Sequence, residues 1–375
     1  MGDIEVITVT DDKYAQHLGV MIESLFRNKT SPHFVNIYVI DGGIKRHNKE
    51  KLKLTIRKYK GSIHFLQIDD TIYKKYGLRE NMSKTAYYKI EVSEILHFIE
   101  EKVLFLDSDI VFNDSIHKLW DTKVDDYVLA ATPVPNFNRH EELGLSESSP
   151  YFNSGVMVIN LTKWREFKIF KLTKEFLDIN SNHITLHDQD ALNAVINDKW
   201  LPLPQKWNQR SALFDRNINE SLYDKDELFE AKTKPSIIHF NGSQKPWHYL
   251  CDHPFASNYK YYLRLSEWRD FVPPEKNIFS RRNLIVFGAS NSSVKVTKML
   301  KKLNLNIIYY VDNDEQKVGK TFDGIIVHKP EKIKKETRGT YSVIVASVFY
   351  DEIKQQLEQF GLVEYDDFIS GLGKR

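Results

Sequence analysis

Residues 102–112, Lys-Val-Leu-Phe-Leu-Asp-Ser-Asp-Ile-Val-Phe, constrain the fold of this chain more than any other stretch. An apolar run flanked by charge suits a central parallel strand covered on both faces. Asp107 and Asp109 nevertheless stand one residue apart inside it. Two unpaired carboxylates would be costly to bury in a sheet. They belong where the strand ends, at the carboxyl edge on which ligands of open α/β sheets collect, either solvated or neutralised by a cation.

The flanking sequence repeats one theme. Residues 4–9 form a β-branched apolar run that stops at Thr10-Asp11-Asp12, and residues 14–26 then carry Leu18, Met21, Ile22 and Leu25 at helical spacing. Asp11 or Asp12 reads either as a helix cap or as a contact to a nucleotide at the edge of the first strand. A second unit follows, with a strand over 35–40, a turn at Asp41-Gly42-Gly43 and a basic helix over 45–60. Residues 63–68 read as a third strand, residues 83–98 as a helix, and 127–131, 151–160 and 236–240 as further strands. Within 151–160, Asn153 and Gly155 are expected close to a turn, and Asp188 is expected to cap a helix that opens at His187. Alternating strands and helices imply βαβ units, right-handed crossovers and a mostly parallel sheet.

At 375 residues the chain exceeds what one core usually serves, so two domains are expected. The boundary falls at 271–277, where two prolines and charge follow an aromatic-rich helix. A formal net charge of +2 excludes the strong basic excess of a nucleic-acid protein. The single cysteine, Cys251, excludes an internal disulfide and suits a reducing compartment. No apolar run is long enough to span a bilayer. The opening residues lack a basic n-region, and Val6 departs from the myristoylation pattern that Gly2 suggests. A cytoplasmic protein is expected, and peripheral attachment to the inner face of a membrane is compatible with that.

Five motifs in order carry more weight than any one of them. Thr10-Asp-Asp-Lys-Tyr14, Leu106-Asp-Ser-Asp109, Tyr151-Phe-Asn-Ser-Gly155, His187-Asp-Gln-Asp190 and His239-Phe-Asn-Gly-Ser-Gln-Lys-Pro-Trp247 together resemble the family 8 retaining glycosyltransferases over about residues 4–270. The family includes bacterial lipopolysaccharide galactosyl- and glucosyltransferases, general stress protein A and glycogenin. The resemblance implies a GT-A-type single Rossmann-like nucleotide-binding domain over 1–272, with a mixed, mostly parallel sheet. A linker over 273–280 leads to a small α/β Rossmann-like domain over 281–375. It further implies transfer of glucose or galactose from a UDP-sugar to a glycan, glycolipid or glycoprotein acceptor.

The same resemblance assigns roles. Asp107, Asp109 and His239 would ligate Mn²⁺, with Mg²⁺ as the alternative; two carboxylates and an imidazole suit such ions. Val9, Thr10, Asp11 and Tyr14 would hold the uridine, and Lys89, Ser108, Gly242 and Lys245 would complete the donor pocket. Gly242 allows close backbone approach, and Lys245 offers positive charge to the phosphates. Asn153, Asp188 and Gln189 match positions around the transferred sugar. Gln189 stands where a hydrolase would need a carboxylate, so attack from the leaving-group face is favoured over a covalent intermediate on Asp188. Three positions depart from the family pattern: Lys13 replaces an Asn, Lys89 an Arg, and Thr132-Pro-Val-Pro135 lacks an Asp. Alternative readings are a sugar-nucleotide hydrolase or nucleotidyltransferase, or an inactive sugar-nucleotide-binding scaffold. The tail from about Arg281 resembles the Rossmann-like half-domains attached to polysaccharide biosynthesis enzymes, with Gly288-Ala-Ser-Asn-Ser-Ser293 in place of a full dinucleotide fingerprint. There Asp312 ends a strand at a place where an acid could meet a ribose.

Overall fold

The structure is a computed structural model and describes residues 2–73, 84–180, 184–215, 217–242, 245–273, 275–281 and 283–372. The chain divides into two compact units, residues 1–241 with 258–269, and residues 242–257 with 270–375.

In the first unit the strands are β1 (Ile4–Thr10), β2 (Val35–Asp41), β3 (Gly61–Leu66), β4 (Lys102–Leu106), β5 (Ile110–Phe112), β6 (Leu129–Pro133), β7 (Phe152–Asn160), β8 (Trp200–Pro202), β9 (Gln209–Arg210) and β10 (Ile237–His239). Seven of them build one sheet in the order β3-β2-β1-β4-β7-β6-β8. β3, β2, β1 and β4 run parallel, β7 opposes both β4 and β6, and β8 lies parallel to β6. The expected mixed, mostly parallel sheet is present. Helices α1 (Ala15–Asn28) and α2 (Arg46–Arg57) supply the crossovers between β1, β2 and β3.

Alternation along the central strands explains their unbroken apolar sequence. In β4, Leu104 and Leu106 join the core cluster beneath α1 and α2, whereas Val103 and Phe105 join the cluster containing Tyr87, Tyr88, Trp164 and Leu192. Both faces of the sheet are buried, so neither side of β4 can be polar. Gly19 in α1 follows from packing as well, because a β-carbon there would lie 2.2 Å from the Trp268 ring.

Five local expectations change, the simplest being β6, which spans Leu129–Pro133 rather than 127–131. Residues 102–112 form two strands, since the chain turns at Asp107-Ser108-Asp109 and β5 leaves for a second sheet of order β5-β10-β9. The turn keeps two carboxylates out of the ladder. Residues 84–91 are a 3-10 helix that runs into the short α-helix Val92–Ile95; Ser83 lies outside the described residues. Tyr87, Tyr88, Lys89 and Ile90 are buried consecutively, which leaves no solvated face for an amphipathic α-helix. β3 begins at Gly61, two residues before its expected start. Asn153 and Gly155 lie within β7 rather than close to a turn, and a register shift against β6 falls beside them.

The second unit contains β11 (Asn283–Phe287), β12 (Asn306–Val311), β13 (Thr321–Phe322), β14 (Ile325–His328), β15 (Ser342–Val345) and β16 (Phe368–Ser370), in the order β13-β14-β12-β11-β15-β16. All pairings are parallel except β13 with β14. Asp312 turns its carboxylate onto its own loops: it accepts from the backbone N–H groups of Ala289 at 2.8 Å and Asp314 at 2.9 Å, and from Lys317 at 3.0 Å.

Candidate active site

The site forms at the carboxyl edge of the main sheet. β1 and β4 are parallel neighbours, with Val6 opposite Leu104 and Ile7 opposite Phe105. Their exits therefore place Val9, Thr10 and Asp11 on the same edge as Asp107. Asp11 accepts the backbone N–H of Tyr14 at 3.0 Å in the turn before α1, whose N-cap position is Tyr14 with no side-chain cap bond, so neither Asp11 nor Asp12 caps that helix. Asp12 serves the other helix, accepting from Lys45 N–H at 2.9 Å and from Asn48 Nδ2 at 2.8 Å. Lys13 is exposed.

Asp107, Asp109 and His239 converge although they arrive on different strands. β10 runs antiparallel to β5 with His239 opposite Ile110, which swings the imidazole back toward the Asp107-Ser108-Asp109 turn. One ligand atom from each residue lies within 4.8 Å of the others. His239 Nε2 stands 3.6 Å from Asp107 Oδ2 and 3.3 Å from Asp109 Oδ1. Ser108 between them is buried. A divalent ion fits this arrangement on two observations. The donors are hard oxygens and an imidazole nitrogen. The ligands also occupy space that only glycine leaves free, since a β-carbon on Gly155 would stand 2.3 Å from His239 Cε1 and 2.7 Å from Asp107 Oδ2.

Lys89 is fully enclosed beside this cluster. Its Nζ lies 3.1 Å from Asp188 Oδ2, 3.3 Å from Asp107 Oδ1 and 3.3 Å from Ser154 Oγ, with the Phe105 ring centroid at 4.7 Å. Burial works against its charge, but the two carboxylates overcome that and hold its pKa above the usual lysine value. For Asp188 burial dominates, pushing the carboxyl above its usual range; Lys89 and the Ser154 hydroxyl, which donates at 2.8 Å, offset this in part. Asp188 lies inside the first turn of helix His187–Ile196 and makes no cap, so the expected cap is replaced by this inward ion pair.

Asn153 and Gln189 are directly bonded, Asn153 Nδ2 donating to Gln189 Oε1 at 2.7 Å. Gln189 Nε2 donates to the Tyr151 hydroxyl at 3.1 Å. Tyr151 donates in turn to Asp190 at 2.6 Å, and Arg139 Nη2 reaches both Asp190 oxygens at 2.9 and 2.8 Å. Gly242 and Lys245 belong to the second unit: Gly242 has φ +74°, and Lys245 Nζ stands 5.4 Å from the Trp247 ring centroid. Asn208, Tyr151, Arg139 and Asp190 are site residues that the sequence reading gave no role. Tyr151 and Asp190 each sit in one of the five motifs, whereas Asn208, whose Nδ2 donates to Asn153 Oδ1 at 2.8 Å, lies in a 3-10 turn, Gln205–Asn208, whose sequence has no periodicity to mark it.

Residues 5–251 match the model of glycosyl transferase family 8. The chain belongs to that family. General stress protein A of Bacillus subtilis is 33% identical over 281 residues, covering 73% of this chain and 98% of the relative. A lipopolysaccharide 1,2-glucosyltransferase of Escherichia coli K12 is 26% identical over 276 residues, covering 70% of this chain and 78% of the relative. The crystal structure of the galactosyltransferase LgtC with donor and acceptor sugar analogues superposes with a TM-score of 0.62 at 25% identity, covering 72% of this chain and 98% of LgtC. This family 8 enzyme is thus a retaining hexosyltransferase with a GT-A-type α/β fold, working on a sugar-nucleotide donor and a glycan acceptor. Residues 280–366 match a separate model, the N-terminal part of C2185-like proteins. Among the described residues no helix is long and apolar enough to cross a membrane.

Proposed function

We propose that this enzyme moves glucose or galactose from a UDP-sugar to a glycan, glycolipid or glycoprotein acceptor. The reading has Mn²⁺, or Mg²⁺ in its place, held by Asp107, Asp109 and His239, and a cytoplasmic protein acting at the inner face of the membrane. One observation carries it: three ligand side chains converge on the sheet edge that also receives the end of β1. Held by these three side chains, a divalent cation would neutralise charge on the departing diphosphate. Asp11 and Tyr14, with Val9 and Thr10, hold the uridine, and Ser108 flanks the phosphates. Lys89 stays in the donor pocket as a strut between Asp107 and Asp188, because its charge is already matched by both.

Asp188 is a poor nucleophile in this arrangement, its Oδ2 being held by Lys89 and Ser154. Gln189 and Asn153 offer neutral amides to the sugar, which favours attack from the leaving-group face over a covalent intermediate. The test is UDP release by purified protein with Mn²⁺ and a panel of UDP- and GDP-sugars. Turnover confined to one UDP-hexose and lost in Asp109→Ala is expected. Equal turnover with GDP-sugars, or full activity in Asp109→Ala, would refute the assignment.

A further inference from the structure

We infer that Asn208, outside the ligand set, fixes the tautomer of His239 and couples the metal centre to the amide of Gln189. The inference rests on the metal reading above. His239 Nδ1 lies 2.8 Å from Asn208 Oδ1, and Asn208 Nδ2 lies 2.8 Å from Asn153 Oδ1. Amide oxygen and nitrogen are exchangeable in principle, so the sense of such a chain must be set by a group that can act in only one way.

Two backbone groups set it. The N–H of Gly155 points at Asn153 Oδ1 at 3.1 Å, and the N–H of Ser154 points at Gln189 Oε1 at 3.2 Å. A backbone N–H can only donate, so both of those atoms are oxygens. The atom of Asn208 facing Asn153 Oδ1 must then be its NH₂, and the atom facing His239 must be its oxygen. His239 Nδ1 accordingly carries a proton and donates it. Nε2, 3.6 and 3.3 Å from the Asp107 and Asp109 oxygens, is left as the atom that can ligate.

A histidine that binds a metal through one nitrogen generally has its other nitrogen held by an acceptor, and removing the acceptor weakens binding about 10- to 100-fold. Asn208 is fully buried and so is His239, so no solvent replaces the missing partner. At the other end the chain is anchored by charge: Gln189 Nε2 donates to Tyr151, which donates to Asp190. Asn153 is the shared member, giving Nδ2 to Gln189 and accepting from Asn208. Asn208 is therefore a positioning residue for two elements of the site at once.

The experiment compares Mn²⁺ affinity, read by the electron paramagnetic resonance signal of free Mn²⁺, with UDP-sugar turnover in wild type, Asn208→Ala, Asn208→Asp and Asp109→Ala. Asn208→Ala loses Mn²⁺ affinity about 10- to 100-fold. Asn208→Asp still accepts the Nδ1 proton and keeps Mn²⁺ affinity, but presents an oxygen to Asn153 Oδ1 and loses turnover. Unchanged Mn²⁺ affinity in folded Asn208→Ala, or equal loss of affinity in Asn208→Asp, overturns the inference. Should Asn208→Ala not fold, nitrogen NMR of histidine-labelled wild type decides, a proton on Nδ1 of His239 supporting the inference and a proton on Nε2 alone overturning it. Full Mn²⁺ affinity in Asp109→Ala would instead overturn the metal reading beneath it.

Discussion

Gly155 lies so close to His239 that position 155 has no room for a side chain: an added β-carbon would stand 2.3 Å from Cε1 of the imidazole and 2.9 Å from Nδ1. The close approach joins β7 to the end of β10 at the point where ligand atoms gather. Neither residue's sequence neighbours announce the other.

Gly155→Ala should therefore strike the proposed metal site before it strikes the fold. Overpacking of this kind costs about 1–3 kcal/mol. The imidazole or Asp107 must shift to relieve it, and Mn²⁺ affinity should fall at least about tenfold, the scale seen when ligand orientation is lost. Paired thermal denaturation and Mn²⁺ titration check this, and wild-type affinity would show that the cluster tolerates the shift.

Lys89 offers a different kind of test, since it neutralises two carboxylates from an enclosed position. Lys89→Met leaves Asp188 buried without its counter-charge, and breaking a buried pair in this way costs about 3–5 kcal/mol. The folded-state pKa of Lys89 lies above its ordinary value of 10.5, so its contribution is complete below 10.5 and is lost as pH rises through the folded value. Denaturation of both proteins between neutral and strongly alkaline pH should show the gap closing only at the alkaline end.

Asp41 gives the opposite sign. It ends β2 and accepts from Gly43 N–H at 2.9 Å, Ile44 N–H at 2.7 Å and Gln67 Nε2 at 2.8 Å, besides pairing with Lys49. Burial alone would raise its pKa, but Lys49 and the two backbone donors outweigh this and hold it below the usual carboxylate value. Stability from Asp41 is thus present above about pH 4 and fades as pH falls through the folded pKa. Asp41→Asn should cost about 1–3 kcal/mol at pH 7. The difference from wild type should shrink below pH 4 in a pH series of melting temperatures, and a constant difference would exclude the carboxylate as its source.

Removing residues 273–375 should separate folding from donor use. Residues 242–257 group with the second unit, where Tyr249 stacks on Phe279, His248 pairs with Glu275 and Leu250 packs on the core of that unit. A fragment ending at 272 keeps the seven-stranded sheet and deprives that segment, Lys245 included, of those partners. We expect a folded fragment whose UDP-sugar hydrolysis remains measurable, and complete loss in a folded fragment would contradict a separate transferase domain. Full activity would show that the segment keeps its conformation unaided.

Much of this protein is written locally. The apolar runs that became β1, β2, β4 and β7, the helical spacing of Leu18, Met21, Ile22 and Leu25, and the strand-end position of Asp107 and Asp109 all follow from nearest-neighbour chemistry and alternation. A sheet buried on both faces has to be apolar on both, and acids placed in such a strand have to turn out of it. The break between β4 and β5 is the detail that this reasoning reached only in part: the carboxylates were expected at a strand end, and the departure of β5 into another sheet depended on its pairing with β10.

What the sequence by itself determined was the alternation of elements and the family motifs, among whose residues are Asp107, Asp109 and His239. Tertiary structure alone decided the partners. Lys89 meets Asp188 across 99 positions, Gly155 yields its space to His239 across 84, and Asn208 joins His239 to Asn153 across 31 and 55. Such contacts have no local signature, because a hydrogen-bond partner or a missing β-carbon is selected by what the folded sheet brings opposite it, not by the residues beside it in the chain.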